Sequence, residues 1–347
     1  MKYQINSGRL LNYLEKIINV PSPVGYYREL NPVLAEMAKE LHQELTIDQK
    51  GTAYITLEGE DNSKTVQIAA HADTLGLMVR SVTADGMLLI RRLGGGGLTS
   101  LEGENVVIHT RKGKKYTGYV ICKSHSTHVF DDAATLERNE NTLRVLLDED
   151  VSCEKDVREL GILNGDFISV EPRFRKTEQG YVRSRYIDDK GAIACCFEAL
   201  SYLKEQGKKP RYRTVFSFPY YEEVSLGGTY IPEGVSEMIA VDIGLIGPEL
   251  CGHERAVSIC AKDASAPYDI ELTDRLIALA EKAECDYAVD CFYRYGTDAR
   301  AALRAGHNLK AAVFGMAVYC SHGMERTHIL GLENTTGLLI AYLTEEI

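Results

Sequence analysis

The apolar positions of the chain fall into two textures. Near the N-terminus, Leu10, Leu11, Leu14 and Ile17/Ile18 recur at helical spacing and predict an amphipathic helix. Leu30–Leu45 predicts a second helix, and the β-branched and apolar runs Ala53–Glu58 and Val66–Ala70 predict strands. From about Gly76 to Arg175 the runs shorten: Met87–Ile90, Asn105–Thr110, Tyr116–Ile121, Leu143–Leu147 and Phe167–Val170. Turn pairs Asp85-Gly86, Lys112-Gly113 and Asn164-Gly165 punctuate them, as in an all-β segment. From about Gly180 longer units return. Helices are expected over Lys190–Glu205, Asp269–Glu284 and Gly331–Leu343. Strands are expected over Thr214–Phe218, Met238–Val241, Val257–Cys260 and Leu309–Val318. Strands alternating with helices build an α/β sheet. Residues 1–74 and 177–347 are therefore expected to form one discontinuous α/β domain, interrupted by a β-rich insert over 75–176.

The length of 347 residues fits two domains, and 45% hydrophobic with 26% charged residues suits a globular core. The net charge of −11 argues against nucleic acid and anionic membrane as partners, since both need basic surface. The N-terminal segment mixes charge with apolar residues, unlike a signal sequence. The longest apolar run, Ala311–Cys320, is too short to span a bilayer and contains Gly315. A cytoplasmic location is the expectation. The nine cysteines are scattered, odd in number and form no CxxC, which reads as buried thiols. Gly94–Gly97 lacks a following GK[ST] and reads as a loop, not a phosphate cradle.

Acidic and histidine residues cluster after predicted strands: His71-Ala72-Asp73, Asp188-Asp189 just before a helix, Glu222-Glu223, and Asp242. Sites in open α/β sheets form at the carboxyl ends of strands. Each piece alone has an ordinary reading: a hydrogen-bonded pair, a helix cap, a solvated face. Together they suit divalent metal. Imidazole and carboxylate accommodate zinc, cobalt or manganese, and one carboxylate can bridge two ions. In His-x-Asp, Asp73 can hold the ring nitrogen of His71 that does not face the metal. In Glu-Glu, one carboxylate can bind metal while the other takes a proton from water. His125 and His128 form an HxxH that is either a metal pair or a polar loop. Lys262-Asp263 lines a cleft or a surface turn, and His253 and His307 read as structural.

The string order HADTLG, IDDKGA, EEVSLGG, VDIG, GTDA, SHGMERTH resembles metallopeptidase family forty-two, the glutamyl, deblocking and tetrahedral aminopeptidases. The likeness covers nearly the whole chain and is strongest to the deblocking branch, through Ser258–Asp263 and the SHxxERTH segment. It implies a mixed-sheet α/β/α dinuclear-metal exopeptidase domain with an inserted PDZ-like domain, and a metallo-aminopeptidase acting on peptides. Carried over residue by residue, His71 is the first histidine ligand and Asp73 the carboxylate that orients it. Asp188 bridges the ions, Glu222 is the general base and Glu223 a ligand. Asp242 is the other ion's carboxylate, and His322 the final ligand, with His328 the alternative. Thr297-Asp298 would buttress the site. Two divalent ions, zinc or cobalt and possibly manganese in kind, would bind per subunit. Relatives form tetrahedral dodecamers through the insert, which implies a homo-oligomer. Three departures stand out: Ser225 replaces a glycine, Asp189 an asparagine, and GMERTH the common SPVE. The rival readings are glycoside hydrolysis by a carboxylate pair, which needs no histidine, and a metal-stabilised binding or assembly protein without turnover. A serine hydrolase lacks its GxSxG elbow here.

Overall fold

The computed structural model describes residues 1–346, and the chain divides into two compact units. One comprises Met1–Thr74 and the chain from Arg173 onward; the other is Leu75–Pro172.

The larger unit is built on a nine-stranded mixed sheet. Its centre is four adjacent parallel strands in the order Tyr212–Phe218, Asp61–Ala69, Val235–Val241 and Lys310–Val318. Val257–Lys262 runs antiparallel to Lys310–Val318, and Tyr287–Cys291 parallel to Val257–Lys262. On the other flank, Ala53–Leu57 and the short edge strand Leu45–Ile47 are antiparallel additions. Consecutive residues are buried in the central strands, as in Met238–Val241 and Ala311–Val318. A strand buried on successive positions is covered on both faces, which is why these segments read as unbroken apolar runs. Helices Ser7–Ile18, Ile187–Gln206 and Ile329–Thr344 pack on one another beside the sheet. Phe197 and Phe218 stack at 5.7 Å between ring centroids and join helix to sheet.

Four differences from the sequence expectation have physical causes. The second helix stops at Glu40 rather than Leu45, because His42 turns left-handed (φ 59°) and Leu45 begins the edge strand. The strand Asp61–Ala69 begins five residues before its apolar half, because main-chain pairing continues past the buried face. Tyr287–Cys291 is short and interrupted by Asp290, and the helix Asp298–Arg304 spans only 7 residues, too short for a periodic apolar face to announce it. Finally, Asp188 does not follow a strand of the main sheet. Tyr181–Ser184 belongs to a separate three-stranded sheet, paired antiparallel with Glu325–His328.

The smaller unit is a closed six-stranded barrel: Gly76–Val82, Leu88–Leu93, Leu143–Leu147, Lys115–Cys122, Asn105–His109 and Phe167–Val170, with the first strand meeting the last. Alternate residues such as Leu77, Val79, Leu88, Ile90, Val106 and Ile108 fill it. Closure removes free sheet edges. Gly86, Gly113 and Gly165 of the turn pairs all have positive φ.

Candidate dinuclear metal centre

The carboxyl ends of the four central strands lie side by side, and the candidate residues sit just beyond them. His71 follows Asp61–Ala69, Glu222 and Glu223 follow Tyr212–Phe218, Asp242 follows Val235–Val241, and His322 follows Lys310–Val318. Gly315 allows the last two strands to approach. A Cβ there would lie 2.0 Å from the carbonyl oxygen of Asp242. Asp188 arrives from the separate sheet, at the entry to helix Ile187–Gln206.

Asp188 is the hub. One carboxylate oxygen, Oδ1, lies 3.0 Å from Nε2 of His71, and the other, Oδ2, lies 3.5 Å from Nε2 of His322. Nε2 of His322 is also 3.4 Å from Oε2 of Glu223. Ligand atoms of His71, Asp188 and Glu223 fall within 4.8 Å of one another, as do those of His71, Asp189 and Asp242. Oε2 of Glu222 lies 3.7 Å from Nε2 of His71. All six residues expected at the ions or as the base are therefore brought together.

The electrostatics are those of a site for cations. Asp188, Asp189, Glu223 and Asp242 are shut off from water, and no lysine or arginine among the described residues pairs with them. Burial and like charge push Glu223 up to about 8 and Asp242 up to about 7. Burial, with the neighbouring carboxylates of Asp242, Asp298 and Glu223, also raises Glu222, although His71 opposes it. Asp188 goes the other way: burial would raise it, but the hydrogen bonds to His322 and His71 pull it below the usual carboxylate range. One oxygen of Asp189 is buried without any partner. Such an accumulation of unpaired buried carboxylates is costly unless cations neutralise it. The two imidazoles complete a mixed N/O donor set of the kind zinc, cobalt and manganese accept.

Two carboxylates outside the ligand set organise the centre. Asp73 is expected from the sequence to hold the ring of His71. In the structure Nδ1 of His71 bonds the main-chain carbonyl of Asp73 at 3.0 Å, and the Asp73 carboxylate pairs with the same nitrogen at 3.5 Å. That carboxylate accepts the backbone N–H groups of Glu222 and Glu223, each at 3.1 Å. Glu325, which sequence reasoning did not single out, accepts the backbone N–H of Asp188 at 3.0 Å and of His322 at 3.2 Å. Its only sequence signal is its place in SHGMERTH.

The remaining candidates resolve by their contacts. His328 caps helix Ile329–Thr344: its Nδ1 accepts from Leu330 N–H, and its Nε2 donates to the Gln179 carbonyl at 2.7 Å. Both ring nitrogens are thus committed to structure. His125 packs edge-on to Phe130, and neither it nor His128 joins a ligand cluster among the described residues. Asp263 is a buried hub, taking Arg300 Nε at 2.8 Å and the Tyr268 hydroxyl at 3.0 Å. Tyr268 in turn contacts Thr297, which precedes Asp298. Asp298 is buried against Gly227 and Gly228, where a Cβ on Gly228 would lie 2.0 Å from its carbonyl oxygen. Thr297 and Asp298 therefore pack behind the loop that carries Glu222 and Glu223. His307 bonds the Thr229 carbonyl. Cys195 and Cys196 are buried in helix Ile187–Gln206, with thiols pushed up by burial, whereas Cys251, Cys291 and Cys320 are exposed, against the expectation that the cysteines are buried.

Residues 51–338 match the M42 glutamyl aminopeptidase family model. The chain belongs to that family. It is a metallo-aminopeptidase, 39% identical to the Bacillus subtilis protein YhfE over 96% of this chain and 97% of that protein. Its fold matches the TET aminopeptidase of Thaumarchaeota archaeon SCGC AB-539-E09 with a TM-score of 0.87 at 20% identity, covering 98% of this chain and 97% of that one. It also matches Pyrococcus horikoshii TET1 peptidase, which can assemble into a tetrahedron or a large octahedral shell, with a TM-score of 0.85 at 23% identity over 97% and 100% of the two chains. No helix among the described residues is long and apolar enough to cross a membrane.

Proposed function

We propose that this M42 enzyme hydrolyses the first peptide bond of peptides with a free N-terminus, using two divalent ions and Glu222 as general base. The observation that carries the proposal is Asp188, whose two oxygens face one histidine each. His71, Asp188 and Asp242 would hold one ion, and His322, Asp188 and Glu223 the other. The ions would supply Lewis acidity, easing ionisation of water and stabilising negative charge on the carbonyl oxygen.

The chain's own residues do the rest. The Glu222 side chain is 13% exposed, beside the Asp188–His71 pair but outside both expected ligand sets. It takes a proton as water attacks the carbonyl carbon and returns that proton to the leaving amine. The Asp73 clamp on the Glu222 and Glu223 amides fixes base and ligand relative to each other. Zinc, cobalt and manganese all suit the donor set. By analogy with TET1 peptidase, which can assemble into a tetrahedron or an octahedral shell, the chain works as a homo-oligomer.

A panel of aminoacyl chromogenic substrates tests the proposal. Activity should vanish in chelator and return with zinc, cobalt or manganese, and the panel identifies the preferred residue. Activity that persists in chelator would refute a metal-dependent reaction.

A further inference from the structure

Resting on the two-ion centre above, we propose that Glu325 is a positioning residue that acts mainly on the ion held by Asp188, Glu223 and His322, because it anchors two of that ion's ligands and only the shared Asp188 of the other's.

His322 stands on a tight hairpin loop closed by mutual main-chain bonds between Tyr319 and Arg326, at 2.9 and 3.2 Å. Within that loop Cys320 (φ 57°) and His322 (φ 64°) both adopt the left-handed conformation. This conformation is unfavourable for a non-glycine residue and persists only where surrounding contacts over-determine it. Glu325 supplies such a contact. It is 2% exposed, and its Oε1 accepts the backbone N–H of His322 itself. Its Oε2 accepts the backbone N–H of Asp188, which follows the neighbouring strand Tyr181–Ser184 at the entry to helix Ile187–Gln206. Strand pairing brings the two segments together, with Ser184 opposite Glu325 in the small sheet.

One carboxylate thus spans the main chains of two residues that share an ion, and fixes the approach of His322 Nε2 to Asp188 Oδ2. No lysine or arginine among the described residues pairs with Glu325. Its hold on the centre runs through those two amides. The first ion's histidine is secured independently. The backbone N–H of His71 donates to Asp189 and its Nδ1 bonds the Asp73 carbonyl. Loss of Glu325 should therefore reach the first ion only through the shared Asp188, and weaken it less than the second. Partners that orient metal ligands are worth roughly 10- to 100-fold in metal affinity.

The test is equilibrium dialysis of chelator-stripped protein against zinc, with bound metal counted, for wild type, Glu325→Ala and Glu325→Gln. Wild type should bind two ions. Glu325→Ala should bind one ion at most a few fold more weakly than wild type and the other about 10- to 100-fold more weakly. Glu325→Gln keeps the shape but only one acceptor oxygen, and should fall between; it also serves if the alanine variant does not fold. Melting of the metal-free proteins separates a general loss of stability from the selective effect. Two ions bound as in wild type by the glutamine variant, or both ions weakened equally, would overturn the role assigned to Glu325. A wild-type protein that binds no zinc, cobalt or manganese would instead remove the two-ion centre on which the assignment stands.

Discussion

Replacing Asp73 by asparagine separates two roles that one residue could play. The Asp73 carboxylate is fully buried and accepts the Glu222 and Glu223 amides, each at 3.1 Å. Hydrogen bonds to a charged group are worth roughly 1.5–3 kcal/mol each. Asparagine keeps one acceptor oxygen but turns an NH2 donor toward the other amide, so one bond is lost and a buried donor is left unsatisfied. The loss is about 2–4 kcal/mol. If all of it falls on the placement of Glu222, kcat drops by about 30- to 900-fold, at 1.36 kcal/mol per factor of ten. His71 keeps its bond to the Asp73 main-chain carbonyl, which the substitution does not touch. Affinity for the first ion should therefore change by only a few fold. Steady-state kinetics on the preferred aminoacyl substrate, with zinc counted by dialysis, reads both quantities. A variant with near-normal kcat and greatly weakened first-ion binding would refute the amide clamp and restore the ring-orienting role.

Other substitutions probe the supports of the site. Gly315→Ala puts a Cβ 2.0 Å from the Asp242 carbonyl, on backbone that cannot swing aside, and should cost at least about 1–3 kcal/mol in urea unfolding. A wild-type unfolding midpoint would show that the strands can separate. Ser225 stands at φ 60° where glycine is at ease, so Ser225→Gly should raise stability by up to about 1 kcal/mol, and a lower midpoint would contradict this. Glu237 is buried and bound by Lys64, Tyr342 and Arg275. Burial would raise its pKa, but these partners hold it below the ordinary 4.5. Its contribution is complete above pH 4.5 and is lost as pH falls through the lower folded value. Glu237→Gln should cost near the low end of about 3–5 kcal/mol at neutral pH, because Lys64 and Arg275 keep partial access to water. The difference from wild type should shrink in acid; a constant difference would show that the carboxylate's charge is not what stabilises.

The pattern of apolar runs foretold most of the sheet, because its central strands are buried on both faces. Leu143–Leu147 and Phe167–Val170 even match to the residue. Where burial is partial the pattern weakens: Tyr287–Cys291 alternates across a half-exposed edge, and the insert's first strand, Gly76–Val82, hides behind Arg80 and Ser81. The proposed ligand set is legible because its members are side chains with distinctive chemistry that mostly follow apolar runs. The supports are not. Asp73 and Glu325 act on main-chain amides, and every residue except proline offers one. Which amides converge depends on hairpin and sheet geometry that no side-chain pattern records. The sequence favours His322 over His328 because His322 directly follows the apolar run Ala311–Tyr319, and the hydrogen bonds of His328 to Gln179 and Leu330 point the same way.

The most direct test of a two-ion centre served by Glu222 is the Glu222→Gln enzyme. Glutamine preserves the shape of the side chain and removes its capacity to take a proton. The variant should bind two zinc ions per chain as wild type does, while turnover of the preferred aminoacyl substrate falls by about 100-fold or more. Full metal content with wild-type turnover would contradict the assignment of Glu222 as the base.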